Sequence, residues 1–287
     1  MSGTTKQGWT GYMDGYLKEN MDKAKKIIKK DWDMVFIVDG YEGSGKSVLA
    51  QQVAKHVDPS FNIDRICFSP EEFVKAINSA DRYQAVIYDE AYEGLSSRSA
   101  MSQVNRSLVA VLAEIRQKNL FVFIVLPCFF ELDKYAAVWR SRALIHVYIG
   151  DNFERGKFGF YNQERKKQLY VLGKKFYSYY KPPCNFFGSF TKGYTVDEDA
   201  YRKKKVDALK VREQSKEKSH KDKALIEERD ICIRLYVNSQ PERSQPLAKQ
   251  RVSEDIGKDV RTIQRICANT LGNDLSDRHS DVNNLNL

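Results

Sequence analysis

Eight residues near the N-terminus have the types and spacing needed to bind phosphate. They read GYEGSGKS and fit the pattern G-x-x-x-x-G-K-[ST], from Gly40, Tyr41, Glu42, Gly43, Ser44, Gly45, Lys46 and Ser47. Glycines let successive backbone N–H groups converge on phosphate oxygens, and a helix that starts here adds partial positive charge. We predict that this loop and Val48 bind a nucleotide, with Lys46 reaching the β- and γ-phosphates and the Ser47 hydroxyl binding Mg²⁺. An ordinary glycine-rich turn is the alternative.

The residues on either side of this loop agree with the motif. Residues 34–39 read MVFIVD, an apolar run rich in β-branched residues, which favours a strand. Residues 48–57 read VLAQQVAKHV, with apolar residues at helical spacing. A strand, a glycine turn and a helix form the context that this motif requires.

A second motif carries two adjacent carboxylates. Residues 85–90 read AVIYDE, which are four apolar residues followed by two acids, as in a Walker B strand. Asp89 is predicted to hold Mg²⁺ through water, and Glu90 to polarise the attacking water as general base. A buried strand that happens to end in acids is the alternative. Because water is a poor nucleophile, the second carboxylate favours an ATPase, with ATP and Mg²⁺ as ligands, over a small-molecule kinase.

Two arginines are candidates for stabilising charge on the γ-phosphate. Arg116 ends a predicted helix before the apolar strand at residues 120–126, and Arg142 precedes the strand at residues 144–149. An arginine supplied by a neighbouring subunit contributes about 10³–10⁵ in rate to some phosphoryl transfers. The alternative is that these arginines interact favourably with the negative end of a helix dipole at a helix C-terminus.

The order of these motifs resembles the FtsK/HerA superfamily of P-loop ATPases and the zonula occludens toxin-type proteins of phages. The resemblance covers residues 35–149 and rests on the P-loop, the Asp-Glu pair, the helix ending in EIRQKN and the arginine before the last core strand. It implies a homo-oligomeric ring that moves or packages DNA, with Arg116 as the first arginine-finger candidate and Arg142 as the second. It also makes a virus or mobile element a plausible source. The chain departs from the family at residues 126–128, which read LPC where a polar pair commonly senses the γ-phosphate.

The C-terminal residues 247–271 resemble a helix-turn-helix. Leu247, Val252 and Ile256 are predicted to face inward on one helix, Gly257 to make the turn, and Val260, Ile263 and Ile266 to be buried on the next helix. This pattern leaves Arg261, Thr262, Gln264 and Arg265 outward, where a recognition helix contacts DNA. A small helical bundle used for protein contacts is the alternative.

Two further segments have both a nucleic-acid interpretation and a plainer one. A basic arm before the C-terminal helices could contact phosphates or form a solvated helical face, with Lys203, Lys204, Lys205, Lys210 and Arg212. Aromatic residues interleaved with lysines could stack on single-stranded bases or pack in the core, namely Phe158, Phe160, Tyr161, Tyr177, Tyr179 and Tyr180.

The elements that must position these residues predict an α/β fold. Alternating strands and helices indicate a mostly parallel sheet, with an edge β-hairpin from residues 157–162 and 168–172 and a small all-α C-terminal domain. We predict an N-terminal helix and lead-in at 1–30, a P-loop ATPase domain at 31–195, a charged helical linker at 196–223, a helix-turn-helix-like domain at 224–272 and a disordered tail at 273–287.

Composition and charge bear on the partner and the location of the protein. The 287 residues carry a net charge of +9, which suits a polyanionic partner, and the sequence has no apolar run long enough to span a membrane. Its five scattered cysteines and the absence of a signal-like N-terminus predict a cytoplasmic protein. The predicted function is an ATP-hydrolysing motor that translocates, packages or remodels DNA. The alternatives are an ATP-dependent DNA-binding switch for partition or replication initiation, and a small-molecule kinase.

Overall fold

The computed structural model describes residues 11–89, 112, 115 and 118–268. The chain forms two compact units, Met1–Lys210 and Val211–Leu287. Among the described residues, no helix is both long and apolar enough to cross a membrane.

The first unit is built on a seven-stranded sheet. Its strands are β1 (Met34–Gly40), β2 (Ile66–Cys67), β3 (Ala85–Tyr88), β4 (Phe121–Leu126), β5 (Ala143–Tyr148), β6 (Lys157–Tyr161) and β7 (Phe186–Ser189). Their order across the sheet is β2-β3-β4-β1-β5-β6-β7. The neighbours from β2 to β5 pair in parallel, and β6 and β7 pair antiparallel at one edge. The predicted α/β class with a mostly parallel sheet is therefore confirmed.

Helices cover both faces of the sheet. The described α-helices that begin in this unit are α1 (Gly15–Ile27), α2 (Lys46–Val57), α3 (Pro70–Ser79), α4 (Gln163–Gly173) and α5 (Glu198–Ser239), and a π-helical segment spans Tyr135–Arg140. Side chains alternate along β1, so Phe36 and Val38 pack with α1 and α2 on one face. Val35 and Ile37 pack with α3 and α4 on the other face.

The predicted edge hairpin is wrong in its second half. Residues 168–172 belong to α4, and β6 pairs instead with β5 and β7. Lys166, Leu169, Tyr170 and Gly173 are buried at spacings of three, four and seven residues, which is one face of a helix. Asn162 caps this helix, because its side-chain oxygen accepts a hydrogen bond from the Arg165 N–H at 2.9 Å.

The long helix α5 runs without a break through the predicted boundary at residues 223/224. Its first turns are not the wholly solvated arm that was one interpretation of this basic segment. Tyr201 is buried, and the Lys204 ammonium donates to the carbonyls of Ile63 at 3.2 Å and Ile66 at 2.6 Å.

The second unit is helical. After α5 it contains α6 (Gln245–Asp255) and α7 (Val260–Ala268), joined by a turn in which Gly257 has a φ of 61°. Its buried apolar residues are Ile233, Val237, Ala248 and Ile263. Ala248 replaces Leu247, which was predicted to face inward but is 54% exposed.

Candidate nucleotide-binding site

The glycine-rich loop lies at the carboxyl end of the central strand of the sheet. β1 ends at Gly40, α2 begins at Lys46, and β1 is flanked by β4 and β5. Gly40, Gly43 and Gly45 have φ values of 140°, 72° and 101°. These values are rarely adopted by other residues, and a Cβ at Gly40 would lie 1.9 Å from the Val147 carbonyl oxygen. The strand, turn and helix predicted around the loop are therefore present.

Lys46 folds back over the loop. Its ammonium donates to the carbonyl oxygens of Gly40 at 2.7 Å and Tyr41 at 2.8 Å. Burial lowers the pKa of Lys46, while the nearby carboxylates of Asp39 and Asp89 oppose that shift. A partly desolvated ammonium at a helix N-terminus is suited to bind phosphate oxygens.

Ser47 and Asp89 meet although they are distant in the sequence. The Ser47 hydroxyl donates to Asp89 Oδ1 at 3.1 Å, and the Tyr201 hydroxyl donates to Asp89 Oδ2 at 2.8 Å. Burial raises the pKa of Asp89, and the hydrogen bonds from Tyr201 and Ser47 oppose this rise. A hydroxyl and a carboxylate are the hard oxygen ligands that Mg²⁺ prefers, so this pair fits the predicted metal.

A cavity of about 630 Å³ opens over the loop. It is lined by the loop with Ser47 and Asp89 and by residues after β7. Phe190 packs against the turn so closely that a Cβ at Gly45 would lie 3.1 Å from its ring. This volume and the polar floor give space for a nucleotide-sized ligand.

Several cavity residues were not among the predicted site residues. Glu198, Tyr201, Arg202 and Lys205 line the cavity from α5, and Arg155 lines it from the loop after β5. The four α5 residues are spaced by three, four and seven positions, so they share one face of the helix. That periodicity is visible in the sequence, but nothing local connects it to the glycine-rich loop.

A second buried cluster lies at the end of β1. Asp39 Oδ1 lies 2.9 Å from His146 Nδ1, and Asp39 Oδ2 accepts hydrogen bonds from the Phe129 N–H at 2.9 Å and from the Tyr179 hydroxyl. The rings of His146 and Tyr179 stack with centroids 3.7 Å apart. These contacts connect the residue before Gly40 to the segment after β4 and to the segment after α4.

Of the predicted catalytic residues Glu90, Arg116 and Arg142, the structure describes only Arg142. Glu90 and Arg116 lie outside the described residues. Arg142 lies at the amino end of β5, where its N–H donates to the Val35 carbonyl at 2.7 Å and its guanidinium lies 4.7 Å from the Trp32 ring centroid. The loop is at the opposite end of β1, about 16 Å away at 3.3 Å per residue. Arg142 is therefore too far from this loop to contact a nucleotide bound there by the same chain.

The predicted DNA-contacting residues lie on α7. Arg261, Gln264 and Arg265 are exposed, and Thr262 is partly buried. Asp259 caps the helix, since its Oδ1 accepts a hydrogen bond from the Arg261 N–H at 2.7 Å. The two arginines thus lie on the solvated side of a helix whose other side packs on the unit's core.

Comparison with known proteins does not assign the chain to a family. No protein-family model matches the chain, and a search of curated proteins finds no match.

Proposed function

We propose that this chain is an ATPase that binds Mg-ATP at the glycine-rich loop and acts on DNA. The observation that carries the proposal is the 3.1 Å hydrogen bond between Ser47 and Asp89, which joins the two halves of the predicted metal site. An ordinary strand-helix turn needs neither that hydroxyl nor a buried carboxylate beside it.

The residues of the loop would divide the work of binding. Backbone N–H groups at the start of α2 would bind phosphate oxygens, and Lys46 would exchange its two carbonyl bonds for β- and γ-phosphate oxygens. Ser47 and Asp89 would hold Mg²⁺, which supplies positive charge at the phosphates when bound. Glu90, the next residue, would accept a proton from the attacking water.

The DNA part of the proposal rests on charge and on α7. The net charge is +9, and Arg261 and Arg265 are exposed beside Gln264 near the start of a capped helix. A capped helix with outward basic residues is how a helix-turn-helix contacts DNA. The resemblance to FtsK/HerA ATPases then favours a ring-forming motor of a virus or mobile element.

The ATPase is tested by phosphate release with two variants. Lys46→Ala should abolish turnover because the phosphates lose their cation, whereas Lys26→Ala, at an exposed position of α1, should not change it. Glu90→Gln should retain bound ATP and lose turnover. Full turnover in both site variants would exclude this loop as the hydrolytic site.

The DNA-binding role of α7 is tested by duplex binding at several salt concentrations. The pair Arg261→Gln and Arg265→Gln should weaken binding and lower the slope of log affinity against log salt by about 0.9 for each phosphate that the helix no longer neutralises. Arg251→Gln, an exposed arginine on α6, is the control for charge alone. Equal weakening in both variants would remove α7 as the contact helix.

Steady DNA-stimulated turnover would favour a motor, and slow turnover with nucleotide-dependent DNA affinity would favour a switch.

A further inference from the structure

The segment after α4 holds its aromatic residues in two different ways. Tyr177 and Tyr179 are held through their hydroxyl groups, although Tyr177 is itself 56% exposed. Phe176 is 74% exposed and Tyr180 is 87% exposed. The aromatic set predicted from the sequence therefore divides, since Phe158, Phe160 and Tyr161 are buried in the sheet. Most of the Phe176 and Tyr180 ring surface is therefore open to solvent.

The two anchors fix the backbone that carries the exposed rings. The Tyr177 hydroxyl donates to Glu131 Oε1 at 2.8 Å, and its ring meets Phe130 edge-on at 5.8 Å. The Tyr179 hydroxyl donates to Asp39, and its ring stacks on His146. Phe176 and Tyr180 each adjoin one of the anchored tyrosines, so a ligand that binds their rings loses less free energy to ordering the protein.

A third exposed ring lies on the same face of the sheet. Asp39 is in register with His146, His146 with Gly159, and Gly159 with Phe187. Partners in register point to the same face, so Phe187 lies two strand spacings, about 10 Å, from the histidine on which Tyr179 stacks. Phe187 is 67% exposed.

All charged residues in the segment that carries these rings are positive. Residues 165–196 contain seven lysines and arginines and no aspartate or glutamate. Lys174, Lys175 and Lys181 are exposed in the same segment as the rings, and the Lys175 ammonium lies 5.4 Å from the Phe176 ring centroid. The carboxylate of Glu131 also contacts this segment, where one of its oxygens accepts the Tyr177 hydroxyl.

We propose that this aromatic–lysine surface binds single-stranded nucleic acid. The surface consists of Phe176, Tyr180 and Phe187 with Lys174, Lys175 and Lys181. Every base has a face that can stack on an exposed ring, and the lysines can contact the phosphates between bases. In a duplex the bases are already stacked on each other, so duplex DNA can use only the lysines. An apolar protein partner would leave the three ammonium groups without counter-charge.

The proposal extends the proposed action on DNA but needs neither ATP nor α7. Because Tyr179 connects this segment to Asp39, next to the phosphate-binding loop, strand binding is placed where it can influence that loop. Its test is therefore done without nucleotide, so that its failure differs from failure of the ATPase.

The test is fluorescence anisotropy of labelled oligo(dT) and oligo(U) with the full chain. The double variant Phe176→Ala, Tyr180→Ala should bind oligo(dT) at least ten-fold more weakly, since a stacked base contributes about 1–3 kcal/mol. Phe153→Ala is the matched control, because Phe153 is 87% exposed like Tyr180 and lies outside the surface. Equal weakening with oligo(U) would extend the site to RNA, and selective weakening with oligo(dT) would restrict it to DNA.

Salt dependence separates stacking from charge. The double variant Lys175→Gln, Lys181→Gln should reduce the slope of log affinity against log salt by about 1.4, at 0.7 per single-strand contact. The ring variant should leave that slope unchanged. The proposal is overturned if the ring variant binds oligo(dT) normally, if a duplex of equal length binds the surface as tightly, or if only Arg261→Gln with Arg265→Gln abolishes binding.

Discussion

The Asp89 carboxylate is hydrogen-bonded by a tyrosine from a remote part of the chain. Tyr201 donates to Asp89 Oδ2, while Ser47 donates to Oδ1, so both carboxylate oxygens have a donor. Tyr201 is buried against Phe68 and Tyr194. A tyrosine therefore sets the orientation of the carboxylate that we propose as a metal ligand.

Removing that hydroxyl should weaken metal-nucleotide binding most at low pH. The Tyr201 hydrogen bond lowers the pKa of Asp89, so Tyr201→Phe should raise it, and protons should compete better with Mg²⁺ as pH falls. We expect an affinity at least about ten-fold weaker, since a hydrogen bond to a charged group contributes about 1.5–3 kcal/mol. The measurement is Mg-nucleotide affinity between pH 5 and 8. Tyr194→Phe, in the same cavity wall, should retain the parental pH profile; a shared profile would refute the role of Tyr201.

Lys166 is a buried cation at the base of α4. Its ammonium donates to the carbonyls of Val138 at 3.2 Å and of Ala137, in the middle of the π-helical segment. Burial, with a smaller contribution from the charge of Arg142, lowers the pKa of Lys166 to about 7. The lysine thus satisfies two carbonyls while holding its proton weakly.

This lowered pKa predicts a stability that increases with pH. Between pH 7 and the ordinary lysine value of 10.5, the unfolded chain holds this proton and the folded chain releases it, so the free energy of unfolding rises by up to about 1.4 kcal/mol per pH unit. Lys166→Met should flatten this rise between pH 7 and 9 in urea unfolding. Lys167→Met, an exposed neighbour, should keep the parental slope. A Lys166→Met protein with the parental slope would show that the pKa of Lys166 is not lowered.

At the scale of the element, the glycine-rich loop at residues 40–47 packs against the neighbouring strand. Gly40 ends β1 with its α-carbon against the Val147 carbonyl of β5, at a φ open chiefly to glycine. Phe190 closes the other side of the turn against Gly45. The loop conformation is thus set by both local glycines and distant packing.

Gly40→Ala should therefore disturb the loop and the sheet together. The Cβ would be placed 1.9 Å from a backbone oxygen, and the strained φ alone costs about 1–3 kcal/mol. We expect a lower urea midpoint and weaker nucleotide binding. Gly15→Ala is the matched control, because a Cβ there meets nothing within 4 Å and alanine favours the helix. A Gly40→Ala protein as stable as the control would contradict this interpretation of the turn.

At the scale of the whole molecule, the proposed ring requires residues from two subunits at one site. Arg116 and Arg142 are the two candidates, and Arg142 lies at the end of the sheet opposite the loop. Mixing Arg116→Ala protein with Lys46→Ala protein should restore part of the turnover, because each mixed interface can combine an intact loop with an intact arginine. The same mixture with Arg142→Ala tests the second candidate. If neither mixture regains activity while assembly is intact, neither arginine acts across subunits.

Much of the fold of the first unit could be predicted from local sequence. The strand before Gly40, the turn and α2 follow from β-branched residues, glycines and helical spacing, which act over a few residues. The parallel sheet follows from alternating strands and helices. The prediction failed at residues 168–172, where a short apolar run fits either a strand or a helix and burial of Lys166 and Leu169 decides for α4.

The sequence by itself determined the glycine-rich loop at residues 40–47 and the strand that ends just before Asp89, because glycine φ angles and a short apolar run are local properties. Only the tertiary structure decided that Tyr201 contacts Asp89 and that Tyr179 is anchored while Tyr180 is exposed. Those outcomes depend on which strands and helices meet, since adjacent tyrosines of the same type differ only in what packs against them.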